Sequence, residues 1–351
     1  MKTTGKPTTR SIMRVCPLLL CLLAIIACSH ESYGQTDTTT GFNKKYYESY
    51  PDRITTRLFL SRKYSSPTII NSVGKDIRYM PNTTLNLGVG ATYGWFTLNL
   101  AYGFGFLNRD ETGKGKTKYL DLQTHIYARK WSIDLLGQFY KGFYLTPKGT
   151  ATANEDWYTR PDMKVEHMGV AAYRIMNWKK FSYRAALLQN EWQRKSAGSL
   201  LLGAEIHYGD IHADSAFVPT SIAANTTLKD IDKIRYATIG PGVGYAYTLV
   251  VKEHFYASAS VTGTLSVNLT RRFDESSLSK GSVQTGWFYR AGVGYNSSRI
   301  NVSLLWVNND FHTTFDGGRY LLRTGNFRFN MAYRITAGPK LLRHIRFLSV
   351  K

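Results

Sequence analysis

The feature that most limits what this chain can fold into is an alternation of apolar and polar residues with a period of two. Its clearest instance runs from Tyr119 to Phe143. One face of this stretch is mainly apolar and comprises Leu120, Leu122, Thr124, Ile126, Ala128, Ile133, Leu135, Gly137 and Phe139. The other is mainly polar and comprises Asp121, Gln123, His125, Tyr127, Arg129, Asp134, Leu136, Gln138 and Tyr140. Such alternation is typical of β-strands that bury one face.

We predict that this stretch is a hairpin with a tight turn at Lys130 and Trp131. That register pairs apolar residues with apolar residues and polar residues with polar residues. The predicted pairs are Ile126 with Leu135, Leu122 with Phe139, Tyr127 with Asp134 and Gln123 with Gln138. In this register His125 lies diagonal to Asp134, within reach of a hydrogen bond.

The same alternation recurs, about ten residues at a time, through most of the chain. Further examples lie at 85–93, 96–106, 200–208, 239–249, 257–267, 287–295, 300–306 and 327–335. Gly94 and Trp95 form a candidate two-residue turn that pairs Ala91 with Leu98, and glycine in the first position is typical of a type II′ turn. Tight turns alternate with longer polar loops, and no useful helical period follows residue 35.

The recurrence predicts an all-β fold, an antiparallel transmembrane β-barrel with lipid outside and polar side chains within. Counting segments gives about 12 strands, or 14 if the 212–233 loop hides one. We expect a first strand at 54–64, mostly loop at 65–81, and a mixed extended segment at 181–190. The alternative fold is a secreted soluble β-sandwich. It is disfavoured because the apolar face carries large aromatic residues on nearly every strand, whereas the polar face carries the glycines and charges.

Residues 1–34 have the features of a signal peptide, with a basic start and a short apolar core. Cleavage is predicted before Gln35. The alternative is a lipobox-like site ending at Cys28, which would leave that cysteine lipidated. All three cysteines lie in this leader, so cleavage at Gln35 leaves none for a disulfide, a thiol nucleophile or a metal site. The predicted division is signal peptide 1–34, polar periplasmic lead-in 35–53, barrel 54–336 and C-terminal tail 337–351.

The chain is strongly basic, with a formal net charge of +21. The leader argues against a nucleic-acid partner, and the basic residues are scattered rather than gathered into one patch. Examples lie at Arg62-Lys63, Lys114 to Lys116, Lys179-Lys180 and Arg271-Arg272. We expect them at solvated rims that meet anionic lipid headgroups or lipopolysaccharide. Aromatic residues at the tight turns predict an interfacial girdle made of Tyr93, Trp95, Trp131, Trp178, Phe255 and Tyr256.

The polar face supplies the candidate lumen-facing residues. They are Asp121, Gln123, His125, Arg129, Asp134, Gln138, Glu205, His207, Arg290, Arg328 and Arg334. His125 and Asp134 suggest a His-Asp pair serving a serine nucleophile, but a polar network filling the lumen explains the same residues without chemistry. No nucleophile motif is present, the eight histidines are spread singly, and no cofactor or metal is predicted.

Several stretches together resemble a known family. They are Arg57 to Tyr64, Leu85 to Gly105, Lys116 to Asp121 with Gln138 to Gly142, Ser196 to Ser199 and Ile239 to Gly242. The chain resembles domain-of-unknown-function family 4421 of Bacteroidetes over about residues 50–336. The resemblance implies a secreted outer-membrane β-barrel and no specific activity. The last predicted strand ends at Ile335 without a terminal aromatic residue, and sixteen residues follow it.

Three functions fit such a barrel. We expect a pore or transporter for small solutes in the outer membrane. The alternative is a structural or adhesion barrel with a filled lumen, and a lipid-acting barrel enzyme is a third, less favoured class. Expected partners are outer-membrane lipid and lipopolysaccharide, together with periplasmic chaperones and the barrel-assembly machinery during insertion. The sequence does not predict an oligomeric state.

Overall fold

The computed structural model describes residues 41–71, 76–94, 96–108, 113–152, 154–225, 230–272, 282–315, 318–336 and 338. The predicted signal peptide with its two cleavage sites, residues 35–40 of the predicted lead-in, Trp95, and residues 337 and 339–351 of the predicted tail lie outside this part of the chain. No helix among the described residues is long and apolar enough to cross a membrane.

The described residues form fifteen strands and three short helical segments. The strands are β1 (Tyr47–Ser49), β2 (Arg53–Asn71), β3 (Ile77–Met80), β4 (Asn86–Tyr93), β5 (Phe96–Tyr102), β6 (Lys118–Tyr127), β7 (Trp131–Thr146), β8 (Thr159–Ile175), β9 (Glu191–Gln193), β10 (Ala197–His212), β11 (Lys233–Val251), β12 (Phe255–Arg272), β13 (Ser282–Asn296), β14 (Ile300–Phe315) and β15 (Gly318–Thr336). Two 3₁₀ turns lie at Gly105–Leu107 and Thr220–Asn225, and a π-helical turn lies at Arg184–Leu188.

Ten strands close into an antiparallel ring, so the predicted all-β antiparallel barrel is confirmed. The order is β2-β3-β7-β8-β10-β11-β12-β13-β14-β15, and β15 pairs with β2 along its whole length. The ring has a turn end, where short connections lie at 94, 128–130, 252–254 and 297–299. Its other end is the loop end, which carries the long connections at 147–158 and 213–232.

The wall differs between its two halves, and this corrects the prediction of one ring of about 12 strands. Near the loop end, the short β3 bridges β2 and β7 and closes the ring. Near the turn end, β4 and β5 extend from β2 while β6 extends from β7. The ladders of the described residues contain no β5–β6 pairing. The 213–225 and 230–232 parts of the 212–233 loop hold a 3₁₀ turn and no strand.

Exposure confirms the predicted faces. Large apolar side chains stand exposed on the outside of most long strands, for example Leu58, Val89, Leu200, Ile239, Leu265, Val293, Leu304 and Phe329. The hairpin at Gly94 has the predicted register, with Ala91 opposite Leu98 and Val89 opposite Leu100. Gly94 itself has a φ of 57°, which glycine adopts without strain.

The register predicted for the 119–143 hairpin is wrong by two residues. The last ladder pair is Tyr127 with Ser132, so four residues, not two, lie between the last paired residues of the hairpin. His125 is therefore directly opposite Asp134 rather than diagonal to it. Because the shift is even, every side chain keeps its predicted face.

Three local predictions are also wrong. The 65–81 segment is not mostly loop, because β2 runs on to Asn71 and β3 occupies Ile77–Met80. The 181–190 segment is not extended, since it contains the buried π-helical turn. Of the residues predicted to form an aromatic girdle, Trp131 and Phe255 are exposed, but Tyr93 and Tyr256 are buried.

The lumen is filled at both ends. A loop-end cluster consists of Ile69, Ile77, Tyr79, Leu136, Tyr140, Phe143, Leu145, Met163, Val165, Ile211, Phe217, Val218, Ile231, Ile234, Tyr236, Phe311, Tyr320 and Leu322. From the connection between β10 and β11, Phe217, Val218 and Ile231 are buried in this cluster. The hydroxyl of Tyr79 donates to the carbonyl of Phe217 at 2.6 Å, and the Arg160 guanidinium donates to the carbonyls of Ser215 and Ala216.

At the turn end, residues 181–193 fold into the lumen as a plug. Phe181, Tyr183, Leu187 and Leu188 pack against the inner wall, and β9 of the plug pairs with β1 of the lead-in. Wall side chains also donate to plug carbonyls, including Tyr256 to Ala186 and Asn296 to Glu191. Just beyond the plug, Arg194 donates to Glu253 at 2.9 Å, which holds the pKa of that carboxyl below its ordinary value.

Candidate functional site

A chamber of about 720 Å³ lies between the plug and the wall, beside β5 and β6. Leu187 and Leu188 of the plug form its floor. Its back wall comes from β2, β14 and β15, and its front from β5 and β6. The polar lining residues are Arg57, Ser61, Lys63, Thr84, Asn86, Thr97, Asn99, Asp121, Gln123, Thr124, His125, Asn326 and Arg328.

The front of the chamber is a gap between two strand edges, which we call the window. Residues from both faces of β5 and β6 line it. Thr97 and Asn99 alternate with the outward Leu98 on β5, and Asp121 alternates with the outward Leu122 on β6. Since both inner and outer side chains reach the same space, the chamber passes between the strands and opens through the side of the barrel.

Two arginines form the cationic part of the chamber. Arg57, on β2, is 5% exposed, and its Nη2 donates to Thr92 Oγ1 at 2.5 Å and to the carbonyl of Leu188 at 2.9 Å. The guanidinium of Arg328, on β15, lies 4.6 Å from the centre of the Phe59 ring. The Nε atoms of both arginines are buried without a hydrogen-bond partner. Within the described residues, neither arginine has a carboxylate within salt-bridge distance.

The third basic residue of the chamber is neutralised. Lys63 Nζ lies 3.0 Å from Asp121 Oδ1. The same carboxylate accepts hydrogen bonds from Tyr140 at 2.5 Å and from Gln138 at 3.2 Å. Lys63 was predicted on a solvated rim, and the structure corrects that placement, because position 63 belongs to the inner face of β2. Arg62, its neighbour, is exposed as predicted.

A second buried node lies beside the chamber. Asp134 is fully buried and binds Nδ1 of His125 at 2.5 Å and the guanidinium of Arg290. The guanidinium of Arg290 lies over the Phe288 and Tyr183 rings. Among the described residues, His125 has no other side-chain hydrogen bond, and no serine completes a triad with it. Its ring lines the chamber.

Farther from the chamber, a third node fills the middle of the lumen. Glu205 accepts from the Tyr173 hydroxyl and lies 3.2 Å from Nε2 of His207. His207 stacks on His167, whose Nδ1 lies 2.9 Å from the Tyr236 hydroxyl. The inner glycines make this packing possible, since a Cβ at Gly169 would overlap the His207 ring.

The eleven candidate lumen residues therefore fall into four places. Asp121, Gln123, His125 and Arg328 line the chamber, and Asp134, Gln138 and Arg290 lie just behind it. Glu205 and His207 belong to the central node. Two basic residues lie at the turn end, where Arg129 covers the Phe42 ring at 4.4 Å and Arg334 donates to the plug carbonyls of Gln189 and Glu191.

The sequence analysis missed Arg57 and Lys63 as lumen residues. The signal was present, because positions 55, 57, 59, 61 and 63 of β2 all point inward. Phe59 on the inner face and the charged residues at 62 and 63 obscured it. In the described part of the chain, no group of three or more His, Cys, Asp or Glu residues is arranged to hold a metal ion.

Solved structures of bacterial β-barrels resemble the chain weakly. The outer-membrane protease OmpT of Escherichia coli is 9% identical over 82% of this chain and 98% of its own, with a TM-score of 0.39. The translocator domain of the autotransporter NalP of Neisseria meningitidis is 10% identical over 79% of this chain and 88% of its own, with a TM-score of 0.36. Likeness at this level carries no information on activity.

No curated protein matches the chain. The family described as "Domain of unknown function (DUF4421)" matches residues 35–335, which is most of its length. The match agrees with the resemblance carried by the strand motifs, and it spans the whole barrel, both plugging segments and the chamber. The chain belongs to the DUF4421 family.

Proposed function

We propose that this protein spans the outer membrane as a barrel whose axis is closed to free diffusion, and that it binds a ligand in the chamber beside the window. The observation that carries the proposal is the filling of the lumen at both ends with the chamber left between. A 720 Å³ cavity is within the usual size range of small-molecule sites, which is about 300 to 1,000 Å³.

The exposed outer surface supports the membrane location. Leu265, Val267 and Leu269 stand outward in succession on β12, while Ser266 and Asn268 between them are buried. In water such a continuous apolar surface is an aggregation liability, whereas in lipid it is the surface a barrel requires. Insertion then depends on periplasmic chaperones and the barrel-assembly machinery.

The filled lumen favours a binding barrel over the open pore expected from the sequence. Barrels of about eight strands are just wide enough for their own side chains to fill, and the closed ring here has ten strands. Here Phe217 and Val218 occupy the loop end, and the plug occupies the turn end. A solute moving along the axis would have to displace buried side chains and break their hydrogen bonds.

Fractionation and vesicle swelling together test this proposal. The protein should partition with outer membranes, resist carbonate extraction and migrate differently before and after boiling. Vesicles containing the folded protein should admit small sugars no faster than empty vesicles. Recovery in the soluble periplasm would refute the membrane location, and rapid swelling would refute the closed axis.

A second candidate function is hydrolysis, favoured by the His125–Asp134 pair. A histidine held by a carboxylate can act as a general base, and this ring lines the chamber. Folded protein would then hydrolyse ester substrates, and His125→Asn would abolish that activity while His312→Asn at the loop end would not. Absence of ester or phospholipid hydrolysis would refute this second function and leave ligand binding as the one proposed function.

A further inference from the structure

The window lies between an apolar outer surface and the cationic inner end of the chamber. Its outer margin is apolar, with Leu98, Tyr102 and Leu122 exposed on the two strand edges. The inner end of the chamber is cationic, because Arg57 and Arg328 lack carboxylate partners while the Lys63 charge is balanced by Asp121. A ligand that fits both ends has an anionic group and a hydrocarbon group.

Two buried arginines without a carboxylate partner among the described residues favour an anionic ligand. A buried charge with no counter-charge is strongly destabilising, so a bound anion would stabilise the two guanidinium groups. Phosphate oxygens suit guanidinium groups because they accept two parallel hydrogen bonds. Arg57 and Arg328 both line the chamber, and neither is paired with a carboxylate of the described residues.

The position of the window favours a ligand that enters the chamber from the membrane rather than from water. Both axial routes are filled, so the gap between β5 and β6 is the way into the chamber that the described residues leave open. The facing edges of β5 and β6 pair with no strand of the described residues. In lipid an unsatisfied backbone group is strongly destabilising, so polar atoms of an occupant would stabilise the open window.

We infer that the chamber binds the headgroup of an anionic phospholipid, which enters sideways through the window and leaves its acyl chains among the outer apolar residues. Arg57 and Arg328 hold the phosphate. The inference rests on the proposed function, since only a barrel in a membrane presents its window to lipid. It adds the ligand class and the route by which the ligand arrives.

Native mass spectrometry of delipidated, folded protein tests the ligand class. The probes are phosphatidylglycerol, phosphatidylcholine and glycerol phosphate, offered at equal concentration. Phosphatidylglycerol should be retained with an affinity at least tenfold higher than that of the other two. Equal retention of phosphatidylcholine would overturn the anionic site. Equal binding of glycerol phosphate would overturn entry from the membrane, because that probe has no acyl chains.

Variants test the residues. Arg328→Gln should lower phosphatidylglycerol affinity at least tenfold, and Arg328→Lys should lower it less. Arg62→Gln removes the same charge from the outer side of β2 and should change nothing. Unchanged affinity in Arg328→Gln would overturn the role of that arginine. If Arg328→Gln does not fold, the comparison of Arg328→Lys with Arg62→Gln decides the question.

A final pair of variants tests the route. Ala101 lines the window on β5, so Ala101→Trp should slow phosphatidylglycerol uptake, while Ala259→Trp on the outer face of β12 should not. Equal uptake in both variants would overturn lateral entry. Each sample is first checked for heat-modifiable migration. Inserted protein that retains no phospholipid would refute this inference alone, whereas protein that does not insert would refute the proposed function.

Discussion

At the scale of single residues, the direction of each side chain is what the sequence predicts best. Leu122 is exposed and Gln123 lines the chamber, as their alternation predicts. The contacts made by the inner residues were not predictable, because they join strands far apart in the chain. Asp134 and Arg290, for example, are separated by 156 positions.

A lipid-facing arginine tests the face assignment. Leu265 is 58% exposed on β12, and Leu265→Arg should destabilise the barrel by about 2 to 4 kcal/mol if the residue lies near the bilayer midplane. Folding yield in lipid vesicles should fall accordingly. Leu265→Ala is the control for the lost side chain, and Gln123→Arg should be tolerated because it enters the chamber. Leu122 is less suitable, since an arginine there could reach the chamber through the window. Equal yields for Leu265→Arg and Leu265→Ala would contradict a lipid-facing position.

The Asp134–Arg290 pair provides a second test at this scale. Asp134→Ala leaves a buried guanidinium without its counter-charge and should cost about 3 to 5 kcal/mol in the free energy of unfolding. Because Arg290 is the origin of that cost, the double variant Asp134→Leu/Arg290→Met should be more stable than Asp134→Ala. Denaturant titration of refolded protein in detergent measures all three. A double variant less stable than the single one would show that the pair is not coupled.

At the scale of elements, the sequence predicted strands well where both faces were regular and poorly where a segment folds into the lumen. The hairpin at Gly94 is right because glycine and alternation agree on one register. The plug was not predictable from periodicity, since a five-residue π-helical turn is too short to show any. Its conformation depends on tertiary contacts, such as the Tyr256 hydroxyl on the Ala186 carbonyl.

Arg334 is the residue to change when testing how the plug is held. Its guanidinium donates to the plug carbonyls of Gln189 at 2.6 Å and Glu191 at 2.9 Å. Hydrogen bonds from a charged donor contribute about 1.5 to 3 kcal/mol each, so Arg334→Ala should raise amide exchange in residues 181–193 at least tenfold. Arg299→Ala, in the exposed turn nearby, is the control. Equal exchange in the two variants would show that packing alone retains the plug.

At the scale of the whole molecule, the antiparallel barrel followed from alternation, but neither the window nor the filled lumen did. The window exists because β3 closes the ring only near the loop end, and a four-residue strand carries no clear alternation. The filled lumen depends on residues such as Phe217, in a connection that reads as an ordinary polar loop. Side-chain alternation predicts which residues enter a lumen, and leaves open how closely they pack there.

Single-channel conductance in planar bilayers tests the central claim most directly. Protein whose insertion is shown by heat-modifiable migration should give no steady conductance, because both ends of the lumen are filled. Arg334→Ala, which loosens the plug, should give at most brief openings while the loop-end cluster remains. A steady, ohmic conductance from the unaltered protein would contradict the account, since it would require a continuous aqueous path where the structure has buried side chains.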